Sequence, residues 1–374
     1  MKRYSGINYE QNENCIAKTS SVKSTLLYGD PEAVKKPWLT VLVPTYRRAD
    51  LLQQALESVL TQVHTDFFWD VIVMDNEPYD GKQNGTEKLI RKINNPRILY
   101  YRNSENLRPG DNFNRGIFLA RGKWVTMLHD DDLLMHNALN KLGNLIHFYE
   151  KKPGKPLGAI STSYFQFEYD PVKEEAKLDI PGINSYFSSQ PTDYRIHKLT
   201  HSYVLVTSAI GGSVPSNGTI YNREAVLDVG GFNDDFGISA DLILFYCLEN
   251  KYSVYYTLMP MGFYRWGCNT MIKPESTYQT IKAGYDFREY AYSRNFFSRI
   301  VGAMFRRCHY KKFSTDVIRE KSNVSKEKIK LSDFNSIYSK RPWRFTYFLY
   351  IQLILHTFLF LKRKQSKRMS KGAA

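Results

Sequence analysis

Three aspartates stand together in "WVTMLHDDDLL" (124–134), after an apolar run and before two leucines. Adjacent carboxylates repel, so Asp130, Asp131 and Asp132 invite a cation. Aspartate oxygens are hard ligands suited to Mg²⁺ or Mn²⁺. A cluster at a strand end supplies one or two carboxylates and leaves other positions to substrate phosphates, as is usual where magnesium meets a nucleotide. Such a cation would neutralise a diphosphate and stabilise the charge growing on it as it leaves. The cluster reads equally well as a solvated acidic turn capping a helix that starts near His136, since acids favour helix N-termini.

The elements that must position this cluster follow from periodicity. "WLTVLVPTY" (38–46), "WDVIVMDN" (69–76), "RILYYRN" (97–103) and "KWVTMLHDD" (123–131) are short, apolar, β-branched runs that predict buried strands. Helical periods separate or follow them: "ADLLQQALESVL" (49–60) with Asp50 as its cap, "GTEKLIRKI" (85–93), "GDNFNRGIFLA" (110–120) and "HNALNKLGNLIHFYE" (136–150). This alternation predicts an α/β fold with a Rossmann-like, mostly parallel sheet flanked by helices. Ligands of such sheets bind beyond the carboxyl ends of the strands. Thr45-Tyr46, Asp75-Asn76, Arg102-Asn103 and Asp130-Asp131 should therefore face one crevice. Beyond Lys151, "GAISTSYFQFEY" (158–169) alternates like an antiparallel or edge strand, and 170–200 is loop-rich. "SNGTIYNREAVLDVGGF" (216–232) reads as strand, short helix and Gly-Gly turn, "SADLILFYCLEN" (239–250) as a helix capped by Ser239, and 252–266 as a strand.

Composition bounds the function. The chain has 374 residues, net charge +15 and 43% hydrophobic residues, enough for two or three structural units with a sizeable core. Its 4 cysteines show neither CxxC nor zinc-ligand spacing, which fits reduced thiols in a cytosolic chain. "MKRYSGINYEQNEN" lacks the apolar run of a secretory leader. The Gly-rich phosphate loops GxGxxG and GxxxxGK[ST] are absent.

The blocks "VLVPTYRRADLLQQALESVLTQ", "VIVMDNEP", "ENLRPGDNFNRGIFLARGKWVTMLHDDDLL", "SNGTIYNREAVLDVGGFND" and "GISADLILF" resemble, in order and spacing, the inverting nucleotide-sugar transferases of glycosyltransferase family 2, of the bacterial surface-polysaccharide type. The resemblance covers about 38–270 and implies the GT-A fold. It implies that Tyr46 stacks on the nucleotide base beside Pro44 and Thr45, and that Asp75 accepts from the base's ring N–H. It implies that Asn106, Asn112 and Asn114 shape the nucleotide pocket, that Asp130 contacts ribose or sugar, and that Asp131 holds Mn²⁺ or Mg²⁺. Three departures stand out. His129 replaces the usual first Asp of D-x-D, Phe113 replaces an Arg before Asn114, and Gly267 stands where many members place a His, leaving Arg265 as the diphosphate candidate. Uridine is the implied base, with thymidine as the alternative. A sugar hydroxyl is a poor nucleophile at neutral pH, so attack on C1 opposite the leaving diphosphate needs a general base; Asp241 is the candidate.

The organisation expected is an N-terminal arm (1–37), a nucleotide-sugar-binding half (38–135), an acceptor-binding half (136–270) and a helical, basic C-terminal extension (271–374). In that extension "REYAYSRNFFSRIVGAMFRRCHYKKF" (288–313) and "FTYFLYIQLILHTFLFLKRK" (345–364) combine apolar and basic residues, as an interfacial helix with a polybasic anchor does. This predicts a cytoplasmic protein, peripheral on the anionic inner face of the membrane, with a lipid-linked glycan as acceptor. Packing of the last helix on the catalytic domain or in a homodimer is the other reading of the tail. A polyprenyl-phosphate sugar transferase shares the fold and the acids but needs no strong base. A basic nucleic-acid-binding protein would explain the charge, yet none of the standard motifs for it is present, so no nucleic-acid partner is expected.

Overall fold

The computed structural model describes residues 12–63, 65–168, 196–199, 216–266 and 274–294, together with Tyr9 and scattered positions from 296 to 348. Helix α1 (Cys15–Ser20) and strand β1 (Ser24–Tyr28) precede β2 (Leu39–Thr45), α2 (Ala49–Leu60), β3 (Trp69–Asp75), α3 (Gly85–Ile93), β4 (Ile98–Asn103), α4 (Pro109–Leu119) and β5 (Trp124–Met127). Then come β6 (Leu133–Leu134), α5 (Ala138–Glu150), β7 (Leu157–Glu168), β8 (Ile196–Leu199), β9 (Ile220–Asn222), α6 (Arg223–Asp228), α7 (Ala240–Lys251), β10 (Ser253–Trp266) and α8 (Pro274–Ser293).

The strands form one sheet in the order β1-β4-β3-β2-β5-β9-β7-β10-β6, with β8 on β10. β4, β3, β2 and β5 are parallel, and β9 joins β5 antiparallel. Every residue of β2 and β3 is buried, as expected of strands covered on both faces. The core runs through Leu39, Val41, Val43, Val71 and Val73 to Leu52 and Leu56 of α2. Helix α4 lies close on β2: a Cβ at Gly116 would sit 2.4 Å from Leu42 Cδ1. The chain runs outward from β2 to β3 and β4, then returns to β5 on the other side of β2. That reversal opens a crevice at the carboxyl ends of β2 and β5, where α/β sheets bind ligands.

The structure differs from the sequence expectations at several elements. Residues 24–28 of the expected arm form β1, which pairs antiparallel with β4; a five-residue strand is too short to show a period, and it covers an otherwise open edge. β5 ends at Met127, and Leu133-Leu134 leaves the aspartate loop to pair with Phe263 and Gly262. Helix α5 therefore begins at Ala138, and Asp132 does not lead directly into it. β7 is antiparallel to β9, one of the two expected arrangements, but it is not an edge strand, because β10 pairs with its other side in parallel. Arg48 takes the N-cap position of α2 and Ser239 that of α7, neither with a side-chain capping bond, while Asp50 lies in the first turn.

The chain divides into two compact units, one of Asn8–Val204 and Val214–Thr270, the other of Met1–Ile7, Leu205–Ser213 and Met271–Ala374. In the second, Glu289 of α8 accepts from Tyr310 Oη at 2.6 Å and pairs with Arg306 at 2.6 Å. Phe296, Ile300 and Met304 are exposed at a spacing of four, with Arg299 and Arg307 exposed among them. Among the described residues no helix is long and apolar enough to cross a membrane. The apolar segment 343–361, the acceptor segment 170–215 and Gly267 lie outside the described residues, apart from positions 196–199, 346 and 348.

Candidate active site

The ends of β2 and β5 meet directly: Thr45 Oγ1 donates to Asp130 Oδ2 at 2.7 Å. Next to Thr45, Tyr46 keeps 41% of its surface exposed, and the Arg47 guanidinium lies 5.2 Å from its ring centroid. Asn76 N–H donates to the Thr45 carbonyl at 2.9 Å, so the β3 end is fastened to the β2 end. Asp75 is fully buried. Its Oδ2 accepts from Tyr100 Oη at 2.8 Å and Asn84 Nδ2 at 2.9 Å, and its Oδ1 from Glu77 N–H at 2.9 Å. Burial pushes its carboxyl up against the pull of these donors. Arg102 turns away from the crevice and donates to the Pro78 and Lys82 carbonyls, holding the loop after β3.

Asn106 is exposed and donates to the Asn76 carbonyl at 3.0 Å. Asn112 is buried and accepts from Asn103 Nδ2 at 2.9 Å. Asn114, expected to shape the nucleotide pocket, stands on α4. It is fully buried, and its amide closes a two-way bond with the Phe232 backbone, accepting from N–H at 2.8 Å and donating to C=O at 2.7 Å. The Gly231 turn makes this fit: φ is +77° there, and a Cβ would lie 2.3 Å from Asn114 Oδ1. Two further clamps fix the same segment on α4. Asp234 accepts from the Gly110 and Asp111 amides at 3.0 and 3.1 Å, and Arg108 pairs with Asp235 at 2.8 Å. Together they set the start of α7 and hence Asp241.

Arg265, the expected diphosphate contact, stands near the end of β10. It is wholly buried beneath the acidic loop, with Nε donating to the Asp131 carbonyl at 2.8 Å and a terminal nitrogen to Gln54 at 2.7 Å. Its backbone N–H donates to Asp132 Oδ1 at 2.8 Å. Arg265 therefore braces the acidic loop from beneath. Burial, reinforced by the charge of Asp131, raises the Asp132 carboxyl far above its ordinary range.

The residue that sequence reasoning missed is Arg48. Its guanidinium spans both acids, with Nε 3.1 Å from Asp130 Oδ2, one terminal nitrogen 2.9 Å from Asp131 Oδ2, and the other bonded to Asp130 Oδ1. Burial still pushes the Asp130 carboxyl up to about 6, Arg48 pulling down and Asp131 pushing up. The only sequence signal was the double arginine after Tyr46.

The loop's first residue reaches toward Asp241. His129 Nε2 lies 2.9 Å from Ser216 Oγ, and the Ser216 hydroxyl donates to the Asp241 carboxylate. With its proton committed to Asp241, Ser216 Oγ accepts from His129, which assigns the Nε2–H tautomer. Burial lowers the pKa of His129 and keeps it neutral. Asp241 is pushed up to about 7 by burial, partly offset by Ser216 and reinforced by Asp234; part of its surface remains open. Two of the three departures from the family pattern touch each other: the Phe113 ring meets His129 edge-on at 5.7 Å and Phe232 at 5.6 Å.

The acidic loop fits a hard divalent cation. Asp130 and Asp131 already gather one positive group, Arg48, and Asp132 Oδ2 is buried with no partner among the described residues. No cluster of three or more acid, histidine or cysteine side chains among the described residues encloses a metal position. A cation held here would take one or two of these carboxylates and leave its other positions to phosphate oxygens.

Residues 40–152 match the family model described as glycosyl transferase family 2. A GalNAc(5)-diNAcBac-PP-undecaprenol beta-1,3-glucosyltransferase of Campylobacter jejuni is 36% identical over 107 residues, 28% of this chain and 33% of that protein. An uncharacterized glycosyltransferase of Methanocaldococcus jannaschii is 32% identical over 182 residues, 47% of this chain and 57% of that one. The alignments thus span about a third to just over half of these relatives. Among solved structures, S. aureus TarS 1–349 in complex with UDP aligns with a TM-score of 0.48 at 14% identity, covering 79% of this chain and 76% of that one.

Proposed function

The chain belongs to glycosyl transferase family 2 through residues 40–152, and on that premise we propose that it moves a sugar, with inversion, from a nucleoside-diphosphate sugar to a glycan hydroxyl. The observation that carries this reading is Asp241. It is an acid with a pKa pushed up to about 7, joined to the acidic loop through Ser216 and His129. A carboxylate titrating near neutrality is matched to taking a proton from a sugar hydroxyl as C1 is attacked.

The other residues divide the donor among them. Tyr46 offers an exposed ring to the base, which is uracil in this reading, with Pro44 and Thr45 beside it. Asp75 and Asn106 bound the base end, and Asn112 and Asn114 act from behind by holding β4 and the Phe232 turn. Asp130 faces ribose or sugar. Asp131, with Asp130 beside it, would hold Mn²⁺ or Mg²⁺, which when bound neutralises charge on the departing diphosphate.

The acceptor in this reading is a lipid-linked glycan, in keeping with the undecaprenol-linked substrate in the name of the Campylobacter relative. Phe296, Ile300 and Met304, exposed beside Arg299 and Arg307, suit a peripheral seat on an anionic membrane face. The test is Asp241→Asn. Donor binding, followed by calorimetry, should stay near wild type while sugar transfer disappears; robust transfer by this variant overturns the assignment.

A further inference from the structure

We propose that Arg48 is the resident counter-ion of the acidic loop, and that a nucleoside diphosphate draws it off so that a divalent cation can take its place. This rests on reading the crevice as a nucleoside-diphosphate-sugar site. Three guanidinium nitrogens contact the two acids and cover Asp130 Oδ1, Asp130 Oδ2 and Asp131 Oδ2. The side chains of Asp130 and Asp131 are 1% and 7% exposed, while that of Arg48 is 34% exposed. The guanidinium is thus the lid on the solvent side of the carboxylates.

A divalent cation and a guanidinium cannot share those oxygens, because two like charges at contact repel strongly. Charge counting gives the direction of the exchange. Two carboxylates with Arg48 carry a net charge of about −1, whereas with a divalent cation they are neutral and Arg48 is left without a partner. A diphosphate supplies the alternative partner, since a planar guanidinium binds phosphate oxygens in the same forked geometry as a carboxylate. Cation and diphosphate should then raise each other's affinity, as linkage requires. Arg48 is positioned to move: its side chain caps nothing in α2, and Arg47, at φ 56°, turns away to pair with Glu77.

The test measures Mn²⁺ binding by electron paramagnetic resonance, with and without UDP, GDP or TDP, for wild type, Arg48→Met and Arg48→Lys. Wild type should bind Mn²⁺ about 10-fold more tightly when its nucleotide is present, within the usual range of coupling. Arg48→Met should bind Mn²⁺ alone about 10-fold more tightly than wild type and lose most of the nucleotide effect. Arg48→Lys keeps the charge, loses the fork and should fall between them; it decides the matter if the Met variant fails to melt cooperatively. Unchanged coupling in the variants overturns the role of Arg48 while leaving the nucleotide reading intact. No binding of any nucleoside diphosphate by wild type overturns both.

Discussion

Replacing Ser216 by alanine should move the acid limb of the pH–rate profile upward by about one unit. Ser216 donates to the Asp241 carboxylate and so lowers a pKa that burial has raised to about 7. Removing the donor raises it. Hydrogen bonds to charged groups contribute about 1.5–3 kcal/mol, but a hydroxyl also bonds the neutral acid, so the differential effect is about 1.4 kcal/mol, or roughly one pKa unit. Asp234 and Tyr221, the other ionisable groups acting on Asp241, are unaltered. At pH 7 the ionised fraction of Asp241 would fall from about a half to about a tenth, a roughly 5-fold loss that disappears near pH 9. The assay is kcat/KM for transfer against pH, which reports the free enzyme; Ser216→Thr keeps the hydroxyl and should keep the wild-type limb. A limb that stays in place while the rate drops evenly at every pH would refute the coupling between Ser216 and a titrating Asp241.

Asn114→Ala removes both bonds to Phe232 and leaves its buried backbone groups unpaired, so chemical denaturation should show a loss of about 2–4 kcal/mol. Tyr46→Ala should weaken nucleotide binding by about 1–3 kcal/mol, the range for a base stacked on an aromatic ring, with the melting temperature unchanged. Without a divalent cation the protein should lose stability as pH rises. Asp130 and Asp241 have folded pKa values raised to about 6 and about 7, so their contribution is full below the unfolded value of about 3.9 and is lost as pH passes the folded values. Thermal melts from pH 4 to 8 should show this decline, and added Mn²⁺ with nucleotide should reverse it. Charge reversal of Arg299 and Arg307 to Glu should abolish flotation with anionic vesicles without altering transfer to a soluble acceptor analogue.

The parallel half of the fold was legible because its strands are buried on both faces and its helices carry apolar stripes; α3 matches its sequence-derived bounds, 85–93, residue for residue. β1 and β6 were not legible, since two to five residues show no period and depend on partners far along the chain. For the site, the strand-end rule and the family pattern selected residues but not their orientations. Sequence places Asn114 and Arg265 but does not show the bonds that bury them, because it reveals position along an element and not which polar groups meet it from elsewhere. Arg48 was passed over for the same reason: nothing in "TYRR" shows that the second arginine bridges acids more than 80 positions away. In the sequence His129 and Phe113 stand 16 positions apart as separate departures, and only their contact joins them into one feature.

The claim that the ends of β2 and β5 form a nucleoside-diphosphate-sugar site is tested most directly by calorimetric titration of UDP in the presence of Mn²⁺, with wild type beside Asp131→Ala. Wild type should bind saturably, and removing the Asp131 carboxylate should weaken binding by at least about 10-fold. Equal affinity in the two proteins, or no nucleotide binding by wild type, would contradict it.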